Sequence, residues 1–234
     1  MTRKSTGGLS RRSLLTGGIA AGAGVAGSLA ASAMAQRTGR GRAATIKTYQ
    51  SADFYGPDGK LLKDKAVEAY HDMFRRFGYP ISETLKKEMW VLDFGLGDFA
   101  HVGLAGIFWL NRQDYNYFGH EIYLLPGQMI AEHSHHPTPK GAAKMESWQP
   151  RRGTIYTFGE GEPTPALLEK IPAGQRDLVK SRCGKRLGID EVGHLNRLTA
   201  WHFMVAGPEG ALVTEYGTFH DMDGLKLSNP KAKL

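Results

Sequence analysis

Gly127-x5-His133-x-His135, followed by Glu146-x6-Gly153, sets three metal-binding side chains between two glycines. Side chains alternate faces along an extended strand, so His133 and His135 point the same way and can grip one ion together. Glu146, from the next segment, adds a hard oxygen ligand. A His/His/Glu set suits a divalent metal that keeps open positions, which describes a catalytic site rather than a closed structural one. An isolated His-x-His beside His136 reads equally well as a polar surface loop. The two glycines and Glu146 distinguish this one.

The chain around these residues has 234 positions and a net charge of +7. Its first 35 residues read as a leader rather than as fold. Ser10-Arg11-Arg12-Ser13-Leu14-Leu15 is a twin-arginine pattern, a Gly/Ala-rich apolar stretch follows to Ala30, and Ala33-Met34-Ala35 offers small residues for cleavage. A membrane anchor or a Sec signal fits less well, given the arginine pair and the modest hydrophobicity. The expected route is the twin-arginine translocation machinery, ending in the periplasm or outside the cell. Cleavage leaves 199 residues, enough for one domain with a sizeable core, and removes four cations, so the mature charge falls to +3. That near-neutral balance argues against nucleic acid or an anionic membrane as partner. The single cysteine, Cys183, excludes an internal disulfide.

Residues 36–59 read as a flexible lead-in, and 60–234 as the domain. Ala66, Val67, Tyr70, Phe74 and Phe77 recur at helical spacing, with Gly78 and Pro80 as stops. Ser82 and Glu83 start a second helix expected to carry Leu85, Met89 and Trp90. From Val102 the pattern changes to short strand-like runs at 104–110, 117–125, 129–135, 154–158, 199–205 and 211–219. Pro126-Gly127 and Gly207-Pro208-Glu209-Gly210 are expected turns between them. The Gly/Pro/charge-rich residues 159–193 are expected as a hairpin and loops on a barrel rim. Helices first and many strands afterwards predict an all-β barrel or sandwich over 98–225, with a helical layer outside it.

The histidine spacing resembles the first motif of the cupin superfamily, whose fold is a double-stranded β-helix, or jelly-roll barrel. The gap between His135 and Glu146 is lengthened by an insert, residues 136–143. Within cupins, the His-x-His, insert and Lys144-Met145-Glu146 run resembles the D-lyxose isomerase family of sugar ketol-isomerases. Residues 121–130, Trp201-His202-Phe203, Gly207-Pro208-Glu209-Gly210 and Thr214-Glu215-Tyr216 also fit that group. The resemblance implies metal ligands His133, His135, Glu146 and His202, a divalent ion, most readily Mn²⁺, and a small sugar as substrate. The second cupin motif departs from its pattern: Arg197-Leu198-Thr199 replaces Pro-x-Gly, and Glu191 and Ala206 replace its Gly and Asn. His194 is therefore a rival for the fourth position.

Lys144 precedes Glu146 by two residues, so in an extended segment both face one way. An ammonium beside a divalent ion has its charged form disfavoured, which makes the lysine a usable base; a lysine in such a loop is otherwise simply solvated. Glu215, on a strand with Leu212 and Tyr216, either points into the barrel as a second proton carrier or caps an edge. Lys144 and Glu215 are the expected catalytic pair. Trp148, Tyr123 and Tyr156 are aromatics that either stack on a sugar or fill core. Three functions fit: aldose–ketose isomerisation, Fe²⁺-dependent oxygenation, and sugar binding without turnover by an exported receptor. A homodimer is expected, because the cupins this chain resembles commonly pair and an open edge near 104–110 invites cover. Sedimentation should give a dimer at micromolar concentration; a monomer there contradicts this.

Overall fold

The computed structural model describes residues 45–234; the leader motif lies outside the described residues. Helix α1 (Lys63–Phe77) forms where the helical spacing places it, burying Ala66, Ala69, Tyr70, Met73 and Phe74. Gly78 ends it at φ 65°, a left-handed conformation that glycine adopts without a Cβ penalty. Ser82 caps α2 (Glu83–Glu88) by accepting from the Leu85 amide at 3.1 Å. This second helix is shorter than expected. Trp90 is not on it but opens β1 (Trp90–Leu92), which pairs with β2 (Leu104–Arg112). Pairing with a neighbouring strand overrides helical spacing there, a tertiary effect that no local window contains. Secondary structure is also present within the expected lead-in. Ser51–Phe54 makes a 3₁₀ turn that buries Phe54 against Phe99, their rings 5.0 Å apart.

Seven further strands follow: β3 (Tyr117–Leu124), β4 (His133–His135), β5 (Glu146–Gly159), β6 (Cys183–Leu187), β7 (Gly193–His194), β8 (His202–Gly217) and β9 (Leu225–Leu227). All pairings between them are antiparallel, in the order β1-β2-β3-β8-β4-β9, with β5 along β8 and with β6 and β7 on the far edge of β5. The expected Met129–His135 strand is only three residues long; Met129 itself makes isolated bridges.

Gly207-Pro208-Glu209-Gly210 is not a turn between two strands. It is an excursion inside the continuous β8, lying opposite Thr154, where the β5–β8 register shifts. Turn chemistry is local, whereas a bulge is defined by the partner strand. Gly153 at φ 71° and Gly210 at φ 80° meet at this point. The sheet bends there, so that Glu146–Gly153 with Ala211–Gly217 form one half and Ile155–Gly159 with His202–Ala206 the other. The result is the all-β cupin barrel, with few helices.

Alternation divides β3 between two cores. Ile122 and Leu124 join the interior cluster, while Tyr123 packs with α1 residues Tyr70 and Phe74 outside. Tyr70 donates to Gln128 Oε1 at 2.6 Å, tying α1 to the turn that leads into β4. Residues 159–193 do form a hairpin through β6, but α3 (Pro165–Leu168) and the chain after it cover an outer face. Ile171 and Val179 bury against Phe158 and Phe203 there.

A Cβ at Gly153 would stand 2.0 Å from the Gly210 carbonyl oxygen, on a backbone already at positive φ. Gly153→Ala is therefore expected to destabilise the fold by at least ~2 kcal/mol, from left-handed strain plus overlap with backbone. A shift of the urea midpoint at unchanged slope measures it.

Candidate active site

The interior of the bent sheet holds a polar cluster at one end of an otherwise apolar cavity. His133 and His135 enter from β4, His202 from the start of β8 and Glu146 from the start of β5. His133 and His202 are paired across the β4–β8 ladder, which puts their rings 4.3 Å apart. One donor atom from each of these four residues falls within 4.8 Å of the others. His202 Nε2 is 2.5 Å and His135 Nε2 3.5 Å from the Glu146 carboxylate, yet neither nitrogen has an aligned hydrogen bond.

Two of the histidines have their other ring nitrogen tied down. His133 Nδ1 donates to the Ala131 carbonyl at 2.9 Å and His202 Nδ1 to the Ala200 carbonyl at 3.0 Å. That assignment leaves each Nε2 lone pair aimed at the common centre, the arrangement a metal-ligating histidine needs. Three imidazole nitrogens and one carboxylate, converging in a largely buried cluster, fit a divalent cation. The rival, His194, lies exposed on β7 and takes no part.

Lys144 and Glu215 belong to the same cluster. Lys144 Nζ is 2.6 Å from Glu146 and forms an ion pair with Glu215, and all three side chains are almost fully buried. The ammonium also sits 4.3 Å from the centre of the Phe118 ring. Burial opposes the lysine charge, but the Glu146 and Glu215 carboxylates overcome it and raise its pKa. The neighbouring carboxylates thus act in the opposite sense to the lowering expected from a cation alone. Burial likewise opposes charge on Glu146, but Lys144, His135 and His202 hold it well below the usual carboxylate range. Burial lowers His133 and His135. His202 also feels burial, but the Glu146 charge prevails and raises it.

Two histidines outside the motif join the site. His120, on β3, donates from Nδ1 to Glu215 Oε2 at 3.1 Å. His220 stacks edge-on to His135 with ring centres 5.5 Å apart, and its pKa is pushed down to about 2, chiefly by burial and then by Lys144. The alternation Phe118, His120, Ile122, Leu124 marks His120 as inward-facing in the sequence. No comparable signal marks His220, which follows the end of β8. Trp148 lines the cavity and stacks on His202 at 5.7 Å with planes 7° apart. Tyr123 and Tyr156 pack into outer clusters instead. The cavity volume is about 80 Å³; at ~10–15 Å³ per water on the same measure, it holds more than an ion and its waters.

No protein-family model matches the chain. A D-lyxose/D-mannose isomerase from Thermosediminibacter oceani is 29% identical over 174 residues, covering 74% of this chain and 92% of that protein. A D-lyxose ketol-isomerase from Cohnella laeviribosi is 29% identical over 163 residues, covering 70% and 86%. Among solved structures, the L-ribose isomerase of Acinetobacter sp. DL28 in complex with L-ribose matches with a TM-score of 0.58 at 15% identity, over 80% of this chain and 96% of that one. At that identity the likeness establishes the fold. Fold and site together define a cupin enzyme with a His/Glu group that could bind a metal. More particularly, the chain is similar over most of its length to sugar isomerases named D-lyxose ketol-isomerases.

In the metal-free chain the Glu146 charge raises the pKa of His202, so a divalent ion competes with a proton for its Nε2. A raised pKa means the proton is present below it and absent above it, so metal affinity should rise with pH through that range. Calorimetry in buffers of different ionisation enthalpy should detect proton release on Mn²⁺ binding that grows as the pH is lowered. Binding without proton release contradicts it.

Proposed function

We propose that this protein is a metal-dependent aldose–ketose isomerase acting on a small sugar, of the D-lyxose isomerase kind. The observation that carries this reading is the buried Lys144–Glu215 pair touching the four-donor cluster. A site that only bound sugar, or only activated O₂, would have no evident use for a buried acid–base pair there. The 29%-identical relatives support the same chemistry.

In this reading His133, His135, Glu146 and His202 hold the ion, with Mn²⁺ as the proposed metal. A divalent ion held there would supply Lewis acidity toward the sugar carbonyl and the adjacent hydroxyl. The chain's own groups move the protons. Glu215 is the base: it takes the proton from the hydroxyl-bearing carbon next to the carbonyl and returns it to the former carbonyl carbon, by way of an enediol. Lys144, kept charged by its two carboxylates, supplies and recovers the proton that shifts between the two oxygens. The surrounding apolar walls exclude water and contact the C–H faces of the sugar, with Trp148 against His202 and Phe118 against Lys144.

The leader motif supports export by the twin-arginine route, which carries folded proteins and so allows the metal to be loaded before export. Self-association remains our reading as well: Phe108, Trp109 and Leu110 are exposed on β2 beyond the three residues that β1 covers.

His133→Ala and His135→Ala should lose both metal and isomerisation. Lys144→Ala and Glu215→Gln should keep metal while turnover on the best sugar of an aldopentose and aldohexose panel falls by ~10²–10⁴-fold. Metal analysis and initial rates separate the two classes. Near wild-type rates for Lys144→Ala would overturn the mechanism, and metal-loaded enzyme inert across the panel would overturn the function. Replacing Arg11 and Arg12 with lysine should leave the precursor unprocessed in the cytoplasm; cell fractionation reads this, and normal export would refute the route.

A further inference from the structure

His120 is a buried titratable group that the proton-transfer scheme leaves without a task, and its surroundings leave it one hydrogen bond. Its Nδ1 meets Glu215 Oε2 at 3.1 Å. Its Nε2 has no partner among the described residues. That nitrogen is pressed against the backbone of Gly106, where a Cβ would lie 2.4 Å from it and 2.8 Å from Trp90 Cζ2. The ring is sandwiched: it stacks on Trp90 at 5.5 Å and takes Phe108 edge-on at 4.8 Å. Its free nitrogen faces Gly106, so the one hydrogen bond the ring makes is the one to Glu215.

The register explains why this contact bears on Glu215. His120 on β3 and Trp148 on β5 are the cross-strand neighbours of Glu215 on β8, one on each side. The carboxylate therefore has two oxygens with two different jobs. Oε2 accepts from His120, and Oε1 is left to face Lys144. Rotation about the last side-chain bond would exchange or break both contacts. An unanchored glutamate samples that broad torsion freely.

We infer that His120 is a positioning residue: locked by Trp90, Phe108 and the missing side chain at Gly106, it donates from Nδ1 to Glu215 and fixes the carboxylate so that one oxygen is presented to Lys144 and the substrate. The kinetic part of this rests on the isomerase reading. The geometric part does not, since Glu215 is oriented before any sugar enters.

The test compares where the donor sits. In His120→Asn the amide nitrogen replaces Nδ1, whereas in His120→Gln it falls nearer the place of Nε2. His120→Phe keeps the aromatic packing and removes the donor. Mn²⁺-loaded His120→Phe should retain metal and a KM within about threefold, with kcat down ~10–100-fold, a usual cost of losing an orienting partner. His120→Asn should recover to within about threefold of wild type, and His120→Gln should not. Crystal structures of the Phe and Asn variants without sugar should show Oε1 turned away from Lys144 in the first and retained in the second. Gly106→Ala, which displaces the ring, should reproduce the Phe variant. Equal rates for the Asn and Gln variants, or a Glu215 carboxylate unmoved in the Phe variant, overturn the inference. If His120→Phe misfolds, the Asn/Gln comparison still decides. If wild type turns over no sugar, the isomerase reading fails, and the crystal structures alone judge His120.

Discussion

Glu146–Gly159 and His202–Gly217 pair along almost their whole lengths, and both bend where Gly153 meets Gly210. Everything in the cavity depends on that shared bend. Before it, β5 presents Glu146 and Trp148 inward; after the matching bend, β8 presents Val213 and Glu215 on the same side. The other half of the sheet brings His202, and across the ladder His133, to face them. Side chains alternate with period two, so a one-residue slip of this pairing would send Glu215 outward and close the cavity with Thr214 or Tyr216. The helices matter to the site only indirectly. They seal the outer face of β1–β3 and, through Tyr70 and Gln128, hold the turn that sets the entry of β4.

Charge balance inside this frame explains the pattern of protonation. Two carboxylates and one ammonium are buried together, so the cluster carries surplus negative charge before any histidine is considered. Removing ions from water costs several kcal/mol each unless they are paired. In the metal-free chain the surplus shows in His202, whose pKa rises despite its burial because Glu146 lies beside it. A divalent cation at the four donors would offset that surplus. Glu132 shows the contrast. It is also buried, but its carboxylate accepts from the Lys180 and Ser181 amides, so it needs no counter-ion and serves to hold the 179–181 segment beside β4.

Several parts of this arrangement were legible in the residues themselves. The helix at Lys63–Phe77 follows from side-chain spacing, because a helix that buries one face must repeat its apolar residues every turn. The shared direction of His133 and His135 follows from strand geometry in the same way. Trp90 and Gly207–Gly210 misled for one reason: each carries a local signal, helical in one case and turn-like in the other, that pairing with a distant strand overrides.

What the sequence determined by itself was chemistry within reach of local geometry: which residues can bind a metal, that two of them share a face, and that the later chain must be β. What only the tertiary structure decided was partnership across distance. Lys144 meets Glu215 at a separation of 71 residues, and His120 meets it at 95. His202 outranks His194 because β8 runs beside β4, whereas β7 lies on the outer edge of β5. No spacing rule encodes such contacts, because they depend on strand order and register, which the whole hydrophobic interior selects at once.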